Sequence, residues 1–77
     1  MSILPMLRAR EVINALKKAG FIKARQSGSH VQLRNPSHPR YQPTVPIHSK
    51  ELSRQVIHSI IKQAGLSVKE FLKLLDK

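Results

Sequence analysis

Over residues 7 to 19 the apolar positions Ala9, Val12, Ile13 and Leu16 fall at i, i+3, i+4 and i+7, the spacing of one helix face. Gly20 follows where a C-terminal cap belongs, so a first helix is predicted to stop there. The period then changes to two. Residues 21 to 26 form a short run headed by Phe21 and Ile22, Ser27, Gly28 and Ser29 are turn formers, and from His30 onward Val31 and Leu33 alternate with His30, Gln32 and Arg34. This predicts a hairpin. Four of the five prolines lie in the stretch NPSHPRYQPTVP, which breaks ladder pairing and predicts a rigid, extended loop. A third short strand over about residues 43 to 47 is expected at its end, with Val45 and Ile47 on one face and Thr44, Pro46 and His48 on the other.

A second helix is predicted from His48 or Ser49 through Ala64, with Gly65 as its stop. Its apolar set, Leu52, Val56, Ile57, Ile60, Ile61 and Ala64, is wider than the stripe of a surface helix, so contact with both the sheet and a neighbouring helix is expected. Ser67 and Glu70 match a capping box, and Phe71, Leu72, Leu74 and Leu75 follow, which predicts a short third helix docking on the second. The order helix, three strands, helix, short helix is an α+β arrangement, with the helices on one face of an antiparallel sheet. There is no internal repeat and no low-complexity tract.

Length and charge narrow the function. A chain of 77 residues is expected to form a single domain, 1–77, carrying one site. Fourteen Lys and Arg against four Asp and Glu give a formal net charge of +10, which favours a polyanionic partner: nucleic acid, an anionic membrane or a strongly acidic protein. The helix faces are committed to the core, and no stretch approaches the ~20 apolar residues of a membrane span, so no membrane partner is expected. The first apolar run is short and broken by Pro5, which predicts a soluble, unprocessed chain. The absence of cysteine excludes disulfides and thiolate metal sites and suits a cytoplasmic location. Of the three aromatic residues, Phe21 and Phe71 read as core, leaving no stacking platform for single strands. Contacts to backbone, shape and 2′-hydroxyls are what such a surface can offer.

The four acids Glu11, Glu51, Glu70 and Asp76 are dispersed, and His30, His38, His48 and His58 lack a compact ligand spacing. With no glycine-rich phosphate loop either, no metal, cofactor or small-molecule substrate is expected. Acid–base chemistry without a metal is left. If Val31 and Leu33 face the core, His30, Gln32 and Arg34 share the open sheet face, where Thr44 and His48 can join them. An imidazole beside guanidinium groups suits a phosphodiester. Surrounding cations are expected to favour the neutral imidazole that acts as base, while Arg34, with Lys23 or Arg25, binds phosphate and stabilises developing charge. RNA supplies its own nucleophile, the 2′-hydroxyl. By spacing alone, however, His30 also fits a solvated residue at a strand start, and the charge fits a basic module that holds structured RNA without cutting it. His38 and His58 read as solvated.

Four landmarks in order, KKAGF (17–21), GSH (28–30), VPIH (45–48) and KQAGLS (62–67), together resemble the HicA toxin family of bacterial toxin–antitoxin systems over about residues 7 to 75. The resemblance implies a double-stranded-RNA-binding-domain-like fold and an mRNA interferase, a metal-independent endoribonuclease acting on mRNA and inhibited by a HicB antitoxin. In that family the histidine of the GSH-type turn is catalytic, which carries over to His30. From the strand alternation and the charge, the RNA-binding residues expected around it are Lys23, Arg25, Gln32, Arg34 and His48, with Gly28 and Ser29 letting the RNA backbone approach closely. The chain departs from the family where a Pro-Gly-Thr-Leu-like stretch is usual early in the second long helix: here stand Arg54, Gln55, Val56 and Ile57.

Overall fold

Both predicted periodicities are realised in the computed structural model, which describes residues 4–47 and 50–75. The elements are α1 (Ala9–Lys18), β1 (Ile22–Ser27), β2 (His30–Arg34), β3 (Thr44–Pro46), α2 (Arg54–Gln63) and α3 (Val68–Leu75). The α+β class and the double-stranded-RNA-binding-domain-like order of elements are as expected.

The two AG landmarks have one physical cause. At the end of α1 the Phe21 N–H donates to the Leu16 carbonyl and the Gly20 N–H to that of Lys17; at the end of α2 the Leu66 N–H donates to Ile61 and the Gly65 N–H to Lys62. These are paired Schellman motifs, which satisfy carbonyls that a helix end would otherwise leave open. Gly65 has a second reason to be glycine. Besides its φ of +71°, a Cβ there would lie 2.6 Å from the Tyr41 ring. The ring thereby fastens the proline-rich loop to the end of α2. Within that loop Asn35 Oδ1 accepts the Ser37 N–H at 2.9 Å, and Gln42 Nε2 donates to the Pro39 carbonyl at 3.0 Å.

The sheet is an antiparallel meander in the order β1-β2-β3. Val31, Leu33 and Val45 project from one face into a core with Val12, Leu16, Ile57, Ile60, Ile61 and Phe71. Each such side chain, fully buried, stabilises the fold by about 1.5–3 kcal/mol. Among the described residues no polar or charged side chain is buried, and no helix is long and apolar enough to cross a membrane.

Three local expectations are corrected. The second helix starts at Arg54, not at His48 or Ser49, because the Ser53 hydroxyl accepts the Val56 N–H at 3.2 Å and so caps the helix there. Leu52, expected inside that helix, instead forms an isolated antiparallel bridge with Leu7, its N–H 2.7 Å from the Leu7 carbonyl. His48 and Ser49 themselves lie outside the described residues. Second, β3 ends at Pro46, so Ile47 is exposed and does not share the burial of Val45. Third, α3 packs more extensively on α1 than on α2.

The capping box of α3 is present. Ser67 Oγ accepts the Glu70 N–H at 3.1 Å, and Glu70 Oε1 accepts the Ser67 N–H at 2.8 Å. The hydrogen bonds from the Ser67 backbone and side chain, aided by Lys73, hold the Glu70 carboxyl below the usual carboxylate range. A carboxyl lowered in the folded state stabilises the fold above its unfolded pKa, and this contribution is lost as pH falls through the folded value. Ser67→Ala is expected to cost about 1 kcal/mol in urea unfolding at neutral pH. The capping box also predicts a smaller difference from the wild type once the medium is acidic enough to protonate Glu70.

Candidate active site on the open sheet face

Ser27 pairs with His30, so the hairpin loop consists of Gly28 and Ser29 alone. Gly28 has φ +59° and among the described residues no non-glycine has a positive φ, Ser29 included, the sign pattern of a type II′ turn, which requires glycine at its first central position. Apart from its chain neighbours, no atom among the described residues lies within 4 Å of where a Gly28 Cβ would stand, which leaves the backbone of this turn open to an approaching ligand. The Ser29 carbonyl accepts the Ile47 N–H at 2.6 Å, which ties the turn to the chain leaving β3.

This turn places His30 at the start of β2, paired with Ser27 on one side and Pro46 on the other. Its side chain is exposed, and among the described residues none forms a hydrogen bond with the imidazole. The ring borders two depressions. One, of about 190 Å³, is lined by Arg25, Ser27, His30, Gln32 and Thr44. The other, of about 430 Å³, runs between the sheet and α2 and is lined by His30, Thr44, Pro46, Gln55, Val56, Ser59, Ile60 and Gln63.

The strand registers decide which predicted residues gather around His30. Arg25 pairs with Gln32, Gln32 with Thr44, and Ile22 with Arg34, so Arg25, Gln32, Arg34 and Thr44 share the His30 face. Arg25 is diagonal to His30, about 7–8 Å between Cα atoms. Arg34 stands four residues along the strand, about 13 Å away at the usual rise. Gln32 Nε2 reaches Gln42 Oε1 at 3.4 Å.

Lys23 is not brought to this face. The register shifts between Lys23 and Arg25, and this bulge at Ala24 pairs Lys23 with Leu33, turning it to the helix side. There it lines a separate groove with Arg10, Ile13 and Lys17 of α1. His48, the remaining expected contact, lies outside the described residues. His58 is exposed on α2, and His38 packs near Tyr41 with ring centroids 6.0 Å apart. Among the described residues no three His, Asp or Glu side chains converge on a metal-sized site.

Sequence reasoning missed the α2 wall of the larger cleft. Gln55, Ser59 and Gln63 recur at i, i+4 and i+8, a polar stripe that spacing alone offers as a solvated face. Gln63 Oε1 accepts the Thr44 N–H at 3.0 Å and so joins α2 to the third strand.

Among curated proteins none matches the chain. A family model described as the HicA toxin of bacterial toxin-antitoxin systems matches residues 9–66. That span runs from α1 through the GSH turn, the sheet and α2 to the second Schellman cap, well over half of the sequence. The chain therefore belongs to the HicA toxin family and is the toxin component of a bacterial toxin–antitoxin system.

Proposed function

We propose that this toxin is a metal-independent endoribonuclease that cleaves mRNA in the cytoplasm, with His30 as its catalytic acid–base and a HicB antitoxin as its inhibitor. The observation that carries the reading is the exposed His30 imidazole, without a hydrogen-bond partner among the described residues, at the meeting point of two depressions on an otherwise open sheet face.

A neutral imidazole nitrogen takes the proton of a ribose 2′-hydroxyl, and the 2′-oxygen forms a bond to phosphorus. The bond from phosphorus to the 5′-oxygen breaks, and that oxygen leaves with a proton returned by the imidazolium or supplied by solvent. Arg25, across the hairpin, offsets the charge that builds on the non-bridging oxygens. The open Gly28 turn admits the backbone of the transcript, and Gln32, Arg34 and the general excess of cations hold it. A net charge of +10 makes an acidic protein over the sheet face a fitting inhibitor.

In this scheme cleavage proceeds undiminished in EDTA, and the products carry 2′,3′-cyclic phosphate and 5′-hydroxyl ends. Mass spectrometry of a cleaved oligonucleotide checks both. Activity abolished by chelation, or 5′-phosphate ends, would refute it. Intact RNA with binding that weakens steeply as salt rises would identify a non-catalytic binding module instead.

A further inference from the structure

The two depressions that meet at His30 differ in chemistry. The smaller carries a cation, Arg25. The larger has none among its described lining residues: it combines the amide and hydroxyl stripe Gln55, Ser59 and Gln63 with the apolar Pro46, Val56 and Ile60. A phosphate or carboxylate finds hydrogen-bond donors in such a lining but no cation to offset its charge. A flat, uncharged group with hydrogen-bonding edges gains on both counts, apolar contact for its faces and polar partners for its rim.

One of those partners has a fixed polarity. A backbone N–H can only donate, so the Gln63 atom 3.0 Å from the Thr44 nitrogen must be the carbonyl oxygen. With that oxygen engaged, the group Gln63 offers to a ligand is its NH₂, and among the described residues nothing accepts from it. At about 430 Å³ the cleft falls in the range of small-ligand sites, about 300–1,000 Å³.

The geometry points to the α2 cleft as a nucleobase subsite, holding the unpaired base of the nucleotide whose 2′-hydroxyl His30 activates, with Gln63 donating to an acceptor on the base edge. The inference rests on the RNA-cleaving reading and adds the direction of the strand. The attacking hydroxyl belongs to the ribose on the 5′ side of the scissile phosphate. With that phosphate beside Arg25 and the sugar over His30, the base of the same nucleotide falls on the α2 side. Substrate is thus single-stranded at the cut, and base preference is exerted at the position immediately 5′ of it.

The test compares a single-stranded RNA oligonucleotide with the same oligonucleotide made abasic at that one position, its 2′-hydroxyl retained. Gln63→Glu keeps an oxygen for the Thr44 N–H but replaces the donor with an acceptor. With intact RNA this variant is expected to raise KM about fivefold to tenfold and to change the preferred base at that position. With abasic RNA, the wild type is expected to lose a similar factor and the variant to differ little from it. Equal cleavage of both RNAs by the wild type, or a Gln63→Glu effect of the same size on both, overturns the subsite.

Binding by the His30→Ala protein, followed through the side-chain amide NMR signals of Gln55 and Gln63, separates this inference from the catalytic one. Shifts produced by intact but not abasic RNA support the base cleft even if the wild type cuts nothing, in which case only the cleavage reading fails. Shifts that ignore the base, or that appear only with an acidic polypeptide such as polyglutamate, overturn it.

Discussion

Replacing His30 by alanine is expected to lower RNA cleavage by about 10²–10⁴-fold, the contribution of one positioned proton-transfer group, and to leave the fold intact. The second half of that expectation is as specific as the first. His30 is exposed and outside the apolar core, so its loss belongs with surface substitutions that change stability by roughly 0.5 kcal/mol or less. Circular dichroism and urea unfolding of the variant should overlay those of the wild type while initial cleavage rates collapse. Full activity in a folded His30→Ala protein would remove the imidazole from the mechanism. Arg25→Gln gives a graded companion: it keeps hydrogen-bonding capacity but removes the charge beside the site, and is expected to reduce cleavage less than His30→Ala.

Gly65→Ala is expected to have the largest effect on stability. The backbone there has φ +71°, which an alanine adopts at a cost of about 1–2 kcal/mol. Its Cβ would also stand 2.6 to 2.8 Å from three carbons of the Tyr41 ring, and forcing atoms into such a site adds about 1–3 kcal/mol. The sum, about 2–5 kcal/mol, is a large part of what holds a small domain together. At about 4–8 °C per kcal/mol for chains of this size, the melting temperature should fall by at least about 8 °C. The two costs can be separated. Tyr41→Ala removes the ring but not the dihedral strain, so Gly65→Ala should destabilise the Tyr41→Ala background less than the wild type. An additive cycle would show that ring and glycine do not meet.

How much of this the sequence disclosed depends on whether a segment carries an apolar phase. In β2, Val31 and Leu33 fix which face is inward, so the exposure of His30, Gln32 and Arg34 follows from alternation. Strand β1 has no such anchor. All six of its residues are exposed, no buried side chain sets its register, and nothing in KAR announces the bulge that sends Lys23 to one face and Arg25 to the other. The start of α2 was ambiguous for a different reason. Leu52 fits the helical period four residues before Val56, and Ser49 and Ser53 are both acceptable caps; the bridge between Leu7 and Leu52, made by distant segments, goes with the later start. The larger cleft was hidden for the same cause, since it joins His30 to α2 residues 25 or more positions away and no local period reports such a meeting.

The all-apolar interior has one more consequence. Because no ionisable side chain among the described residues is sealed inside, mild acid or alkali has no interior charge with which to force the molecule apart. What pH dependence the fold has therefore comes from surface groups such as the Glu70 capping box, and an activity profile on this scaffold is compared with unfolding only where that carboxyl protonates.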